Sequence, residues 1–187
     1  MVTIFDHEKL NLKENELLHI RSVLADSKGR IWIGNNGIGV LLKEGETIIN
    51  FSEKHNLIHP KSTRNGNKSE PGTLEHVFAI EEGLLIHTQF NGFYKLVNGN
   101  LTKFNTEADS EIVSSSIYSS QMLSDGSFAI GTISNGVFIV TKEGKVKYHL
   151  TQSKGLSNNT ALSLFEDADK NLWIGLDNGI NCINLQS

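Results

Sequence analysis

The stretch Lys170–Ile183, KNLWIGLDNGINCI, is written almost a second time at Lys28–Leu41, as KGRIWIGNNGIGVL. Each copy follows an acidic turn and runs through an alternating strand carrying Trp-Ile-Gly, then an Asn-Gly pair, then a second alternating strand. Asn-Gly between alternating runs is a hairpin signal, because the tight turn needs the positive φ that Gly adopts without strain. A period in sequence predicts a period in space.

Working outward, Asn-Gly pairs stand at residues 36–37, 91–92, 135–136 and 178–179, at spacings of 55, 44 and 43 residues. The long interval contains NLIHPKSTRNGNKSEPG, residues 56–72, which holds both prolines and no strand-like alternation. It reads as an inserted loop on an otherwise constant period. Four alternating segments fit each of the first three units, and the fourth unit supplies three. The missing strand has a candidate in Val2–Lys9, VTIFDHEK, which resembles TIINFSEK at Thr47–Lys54. No helix is needed, and EKLNLKENELL at Glu8–Leu18 reads as a connection because its Leu spacing fits a helical stripe poorly.

Four antiparallel strands in a period near 43 residues are the arithmetic of a β-propeller blade. The predicted fold is therefore all-β, with blades at about 15–54, 73–106, 112–152 and 156–187 and the strand at 2–9 completing the last. At 187 residues the chain is sized for a single domain with a substantial core. A formal net charge of -4 gives no electrostatic footprint for nucleic acid or an anionic membrane. The single cysteine, Cys182, excludes an intrachain disulfide and a thiolate zinc cluster, and its place in GINCINL predicts a small buried side chain. No run approaches the roughly 18 apolar residues of a membrane span, and the N-terminus as given carries no export signal.

The units LFEDADKNLWIGLDNGI (Leu164–Ile180) and VLADSKGRIWIGNNGIGV (Val23–Val40) closely resemble the two-component regulator propeller repeats. KGLSNNTALSLFED, Lys154–Asp167, is similar to the passage between blades in that family. The second and third units are degenerate, with Ile86 and Ala129 where Trp would stand. The resemblance implies the sensor ectodomain of a Bacteroidetes hybrid two-component (triple-tyrosine) regulator, on the periplasmic side, responding to a glycan and passing its signal to downstream domains. It also implies a longer parent, since those sensors carry more blades, often in sevens, together with membrane, kinase and DNA-binding parts.

Function is sought on the loops and on the innermost strands, because the Trp-Ile-Gly strand reads as scaffold, with Trp32 and Trp173 both packed between blades. Eleven residues before each Trp position lie Arg21, Glu75, Tyr118 and Leu162; one further on lie Ser22, His76, Ser119 and Ser163. One set should face the axis. Arg21, Glu75, His76 and Tyr118 are the candidate ligand contacts there, with a pairing of Arg21 to Glu75 as the structural alternative. His59 and Arg64 on the insertion are candidates for a second surface, against a plain solvated loop.

No metal or cofactor is expected: His55 and His59 have a helical ligand spacing in a stretch broken by Pro60, and Asp125, Asp167 and Asp169 sit where carboxylates cap turns. No catalytic constellation can be assembled from spacing. The chain is read as a non-enzymatic ligand-sensing module with possible oligosaccharide binding and self-association. The alternative is a structural or protein-interaction propeller without a small ligand.

Overall fold

The computed structural model describes residues 19–26, 28–36, 39–54, 74–80, 83–88 and 92–185. Strands β1 (His19–Ala25), β2 (Ile31–Asn36), β3 (Gly39–Glu44) and β4 (Thr47–Asn50) form the first blade, in that spatial order. The second holds β5 (Leu74–Ile80), β6 (Gly83–Thr88), β7 (Gly92–Val97) and β8 (Asn100–Phe104). The third holds β9 (Ile117–Met122), β10 (Phe128–Thr132), β11 (Val137–Val140) and β12 (Val146–Leu150). The fourth has three described strands, β13 (Ala161–Glu166), β14 (Asn171–Leu176) and β15 (Gly179–Asn184). The architecture is all-β, four antiparallel blades of the β-propeller type. The strand predicted at Val2–Lys9, the segment Glu8–Leu18 and the insertion 56–72 lie outside the described residues.

Turn chemistry explains the hairpins. Between β7 and β8, Asn98 and Gly99 take φ of 50° and 79°, the two positive values of the tight turn whose twist matches paired strands. Alternation explains the faces: in β14, Leu172, Ile174 and Leu176 are buried on one side while Trp173 points to the other.

The chain divides into two compact units, Met1–Ile86 with Leu96–Leu101, and His87–Lys95 with Thr102–Ser187, so the second blade contributes to both. In the first unit Trp32, Ile33, Val40, Leu41 and Leu42 are buried, and Trp32 meets Phe51 edge to face at 5.1 Å. Phe51 belongs to a one-turn helix, α1 (Phe51–Lys54), tied to β3 by the Val40 amide donating to Ser52 Oγ at 2.7 Å.

In the second unit an aromatic row runs His87, Phe93, Phe104, Phe128 at centroid spacings of 4.9, 6.4 and 6.2 Å. Beyond it Leu123, Ala129, Val137 and Ile139 of the third blade cluster with Leu172, Ile174 and Leu176 of the fourth. His87 Nδ1 lies 3.0 Å from Ser120 Oγ, so this buried ring is a structural histidine.

Three expectations are corrected. A helix does occur, α2 (Asp109–Ser114), too short to show a period; Asp109 Oδ1 accepts the Thr106 amide and hydroxyl at 2.8 and 2.6 Å, and Ile112 buries beneath it. Trp173 is not a core residue: it is 42% exposed where Trp32 is 1% exposed. Cys182 pairs across the sheet with Trp173, shares its open face and is exposed too.

Candidate ligand-recognition site

The acidic turn and the Trp belong to one device. Asp26 accepts the amides of Lys28 and Arg30 at 2.9 and 3.0 Å, Arg30 Nε at 2.7 Å and Trp32 Nε1 at 2.9 Å. Asp167 repeats it, accepting the amides of Asp169 and Asn171, the Asn171 side-chain amide at 3.1 Å and Trp173 Nε1 at 2.7 Å. One carboxylate closes its turn and fixes the indole six residues later. The degenerate blades lack both partners: Ile80 stands six before Ile86, and Leu123 six before Ala129.

Burial opposes ionisation of Asp26, but the bonds from Trp32, Arg30 and Lys28 outweigh it and bring its pKa from 3.8 to about 2. A depressed carboxylate contributes stability that is complete above its unfolded pKa and is lost as pH falls through the folded one. With screening discounted, the contribution is about 1–2 kcal/mol. Wild-type protein is therefore expected to lose that increment between about pH 4 and pH 2. Asp26→Asn should lack that part of the slope in urea titrations, and an unchanged slope would count against the clasp.

The glycine of Trp-Ile-Gly has a partner on the inner strand. Gly34 pairs with Ser22, Gly131 with Ser119 and Gly175 with Ser163. A Cβ on Gly131 or Gly175 would overlap the facing Ser Oγ. At the same place the ladder slips: Ile20 pairs with Asn35 and Ser22 with Gly34, Ile117 with Thr132 and Ser119 with Gly131, Ala161 with Leu176 and Ser163 with Gly175. Arg21, Tyr118 and Leu162 are thus the extra residues of three equivalent β-bulges, a device that re-aims a side chain.

Of the two sets eleven and ten residues before the Trp position, the bulged residue is the outward one in the third blade, while in the fourth both Leu162 and Ser163 are exposed. Tyr118 and Leu162 are exposed and Ser119 is buried, its Oγ donating to the Ala161 carbonyl at 3.0 Å. That bond ties β9 to β13, so the structure brings Tyr118 and Leu162 onto neighbouring inner strands. Arg21 sits at the bulge of β1, and Glu75 and His76 lie in β5. His59 and Arg64 lie outside the described residues.

Sequence reasoning missed a cavity of about 670 Å³ in the first unit, walled by Trp32, Phe51, Leu84 and Leu96 and rimmed by Asp26 and Arg30. It lies at the opposite end of β1 from Arg21. No sequence signal marked it beyond the charges of the Asp26 turn, which serve the clasp. Among the described residues no three His, Cys, Asp or Glu are grouped to hold a metal ion, and no helix is long and apolar enough to cross a membrane.

The two strong copies of the motif, over residues 17–37 and 155–178, match the two-component regulator propeller family. No curated protein matches the chain significantly. Among solved structures, this propeller is similar to the extracellular domain of a hybrid two-component system from B. thetaiotaomicron, with a TM-score of 0.63 and 15% identity over 90% of this chain and 23% of that one. The extracellular domain of a one-component system from the same organism gives 0.66 and 17% over 95% and 22%. Virginiamycin B lyase from Staphylococcus aureus gives 0.62 and 14% over 93% and 55%. At these identities the likeness is one of fold, and the propeller spans between a fifth and a quarter of the two ectodomains.

Proposed function

We propose that this chain is a ligand-recognition portion of a two-component-type signalling protein. It works on the extracytoplasmic side, binding a glycan or another polar extracellular ligand through the bulged residues of its inner strands. The reading rests on one observation: within the second unit the same bulge recurs in two neighbouring blades and inserts Tyr118 and Leu162 at one equivalent place, on strands tied by the Ser119–Ala161 bond. A tyrosine supplies a stacking face and a hydroxyl, and the neighbouring leucine an apolar contact, the features that a polyhydroxylated sugar requires. Occupancy would pass to downstream domains through packing between modules. The motif match and the two ectodomain neighbours support this placement.

An enzymatic reading has less support. Three of the carboxylates with lowered pKa are engaged as turn caps: Asp26 and Asp167 in their clasps, and Asp125 with the Ser127 amide and hydroxyl and Lys147. The test is a thermal melt against neutral and acidic oligosaccharides at millimolar concentration, since a ligand held by the native state raises the midpoint. Expected is a selective shift that Tyr118→Ala cuts by half or more. A panel without effect, or a shift untouched by both Tyr118→Ala and Arg21→Ala, would remove the bulges from recognition. The second reading, a protein-docking propeller, is favoured by the open apolar face of the fourth blade.

A further inference from the structure

The cavity of the first unit is open for a local reason, visible by comparison with the junction of the third and fourth blades. There Glu166, near the end of β13, reaches back to Ser124, whose amide and hydroxyl both donate to its carboxylate, at 2.7 and 2.9 Å. Glu166 stands seven residues before the Trp position, and the residue at that place in the second blade is Ala79, near the end of β5. A methyl group cannot make such a closure. Ala79 lines the cavity and is exposed.

The floor left uncovered is apolar. Trp32, Leu42, Phe51, Leu84 and Leu96 line it as buried side chains, with Ile49 and Ile80 half-buried. The Trp32 N–H is committed to Asp26, so this floor offers the hydroxyls of a sugar no partner and selects an apolar body instead. A volume of about 670 Å³ lies within the ordinary range of small-molecule pockets.

The rim is cationic. Lys28, Arg30 and Lys54 stand against Asp26 and Glu44, three cations to two carboxylates, which leaves one positive charge in a chain whose net charge is -4. The Asp26 carboxylate is already filled: Oδ1 accepts the Lys28 and Arg30 amides, and Oδ2 accepts Arg30 Nε and Trp32 Nε1. Arg30 is therefore held at its base by the clasp, with its guanidinium carbon 5.2 Å from the centre of the Trp32 ring. Its two terminal nitrogens have no hydrogen-bond partner among the described residues. A planar fork fixed at the base and open at the tip is the donor pair that a carboxylate accepts side by side.

We propose that this cavity binds a small monocarboxylate carried on an apolar ring, with the ring on the floor of Trp32, Leu84 and Leu96 and the carboxylate on the Arg30 fork. The site is separate from the bulges, since it lies at the opposite end of β1 from Arg21. The clasp serves it as well, because the bond that closes the turn also preorganises the cation.

Trp173→Phe protein retains one indole, Trp32 in the cavity wall, and its emission is the readout. It is titrated to about 10 mM with phenylacetate, with cyclohexanecarboxylate and with the neutral amide of each. Expected is a saturable change with both acids and binding about tenfold weaker or more for both amides. Arg30→Lys, which keeps the charge without the fork, should weaken the acids about tenfold. Because Arg30 also supports the clasp, Ala79→Glu in the same background is the second variant: it sets a carboxylate at an exposed position on the cavity, should melt as its parent does, and should weaken the acids about tenfold or more. Tyr118→Ala should leave the titration unchanged, and dependence on it would move the acids to the bulges. Acids and amides bound alike would overturn the anion, and acids bound alike by the parent, Arg30→Lys and Ala79→Glu would overturn the location. Flat titrations with both acids would overturn the site outright.

Discussion

Trp32→Ala is expected to lower the unfolding free energy by about 3–5 kcal/mol, the range for truncating a buried aromatic whose cavity cannot collapse. The same change at Trp173 should lower it by less than about 1.5 kcal/mol, since roughly half the side chain and one hydrogen bond are at stake. The two positions share a motif, a clasp to Asp and a place in the second strand. They differ in that Trp32 is covered and meets Phe51, while Trp173 looks out. Trp32→Ala also strips Asp26 of its indole donor, so its stability profile should lose part of the fall below about pH 4 as well. Urea midpoints of the two variants, measured on dilute protein, check this; equal losses would mean that the fourth blade is covered after all.

Gly136→Ala should be comparably damaging, at about 3 kcal/mol or more. Gly136 has φ of 68°, and a Cβ there would overlap the backbone carbonyl of Leu150, which has no flexible end to swing away. Its amide donates to the Asn159 carbonyl at 2.8 Å, and its own carbonyl accepts the Thr132 amide and hydroxyl, both at 2.9 Å. Three segments therefore meet at a residue without a side chain. Gly155 is the control: its φ is 108°, but nothing lies within 4 Å of where a methyl group would sit, so Gly155→Ala should lose only about 1 kcal/mol. Thermal melts of the two variants separate steric crowding from backbone preference, and similar losses at both sites would rule out the crowding.

Much of the scaffold was legible because it depends on local chemistry. Asn-Gly and Asp-Gly turns and period-two alternation report directly on hairpins, and counting from the Trp position places Arg21, Tyr118 and Leu162 at equivalent points, where the bulges fall. The joint absence of Asp and Trp from the second and third units was equally readable, in Ile80 with Ile86 and Leu123 with Ala129. Burial was not legible. Trp173 and Cys182 sit in the same words as buried residues elsewhere, and what decides their exposure is whether another sheet lies over them, which no local pattern encodes. Helix α2 escaped because six residues hold less than two turns, so Ile112 alone carries its apolar signal.

In the first and fourth blades the clasp and the bulge lie apart along the inner strand. The Asp-Trp clasp closes the turn at one end of the inner strand, and the bulge sets a variable residue, Arg, Tyr or Leu, near the other. Neither the clasp nor the Ser-Gly pairing involves the bulge residue, so that residue differs from blade to blade while the framework repeats.

The contrast at the centre of this structure is one motif closed over at Trp32 and left open at Trp173. Acrylamide quenching of the two single-tryptophan proteins, Trp173→Phe and Trp32→Phe, on dilute samples addresses it most directly. Expected is a blue-shifted, weakly quenched emission from Trp32 and a red-shifted, strongly quenched one from Trp173. Equal shielding of both indoles at the lowest concentration would contradict the open face.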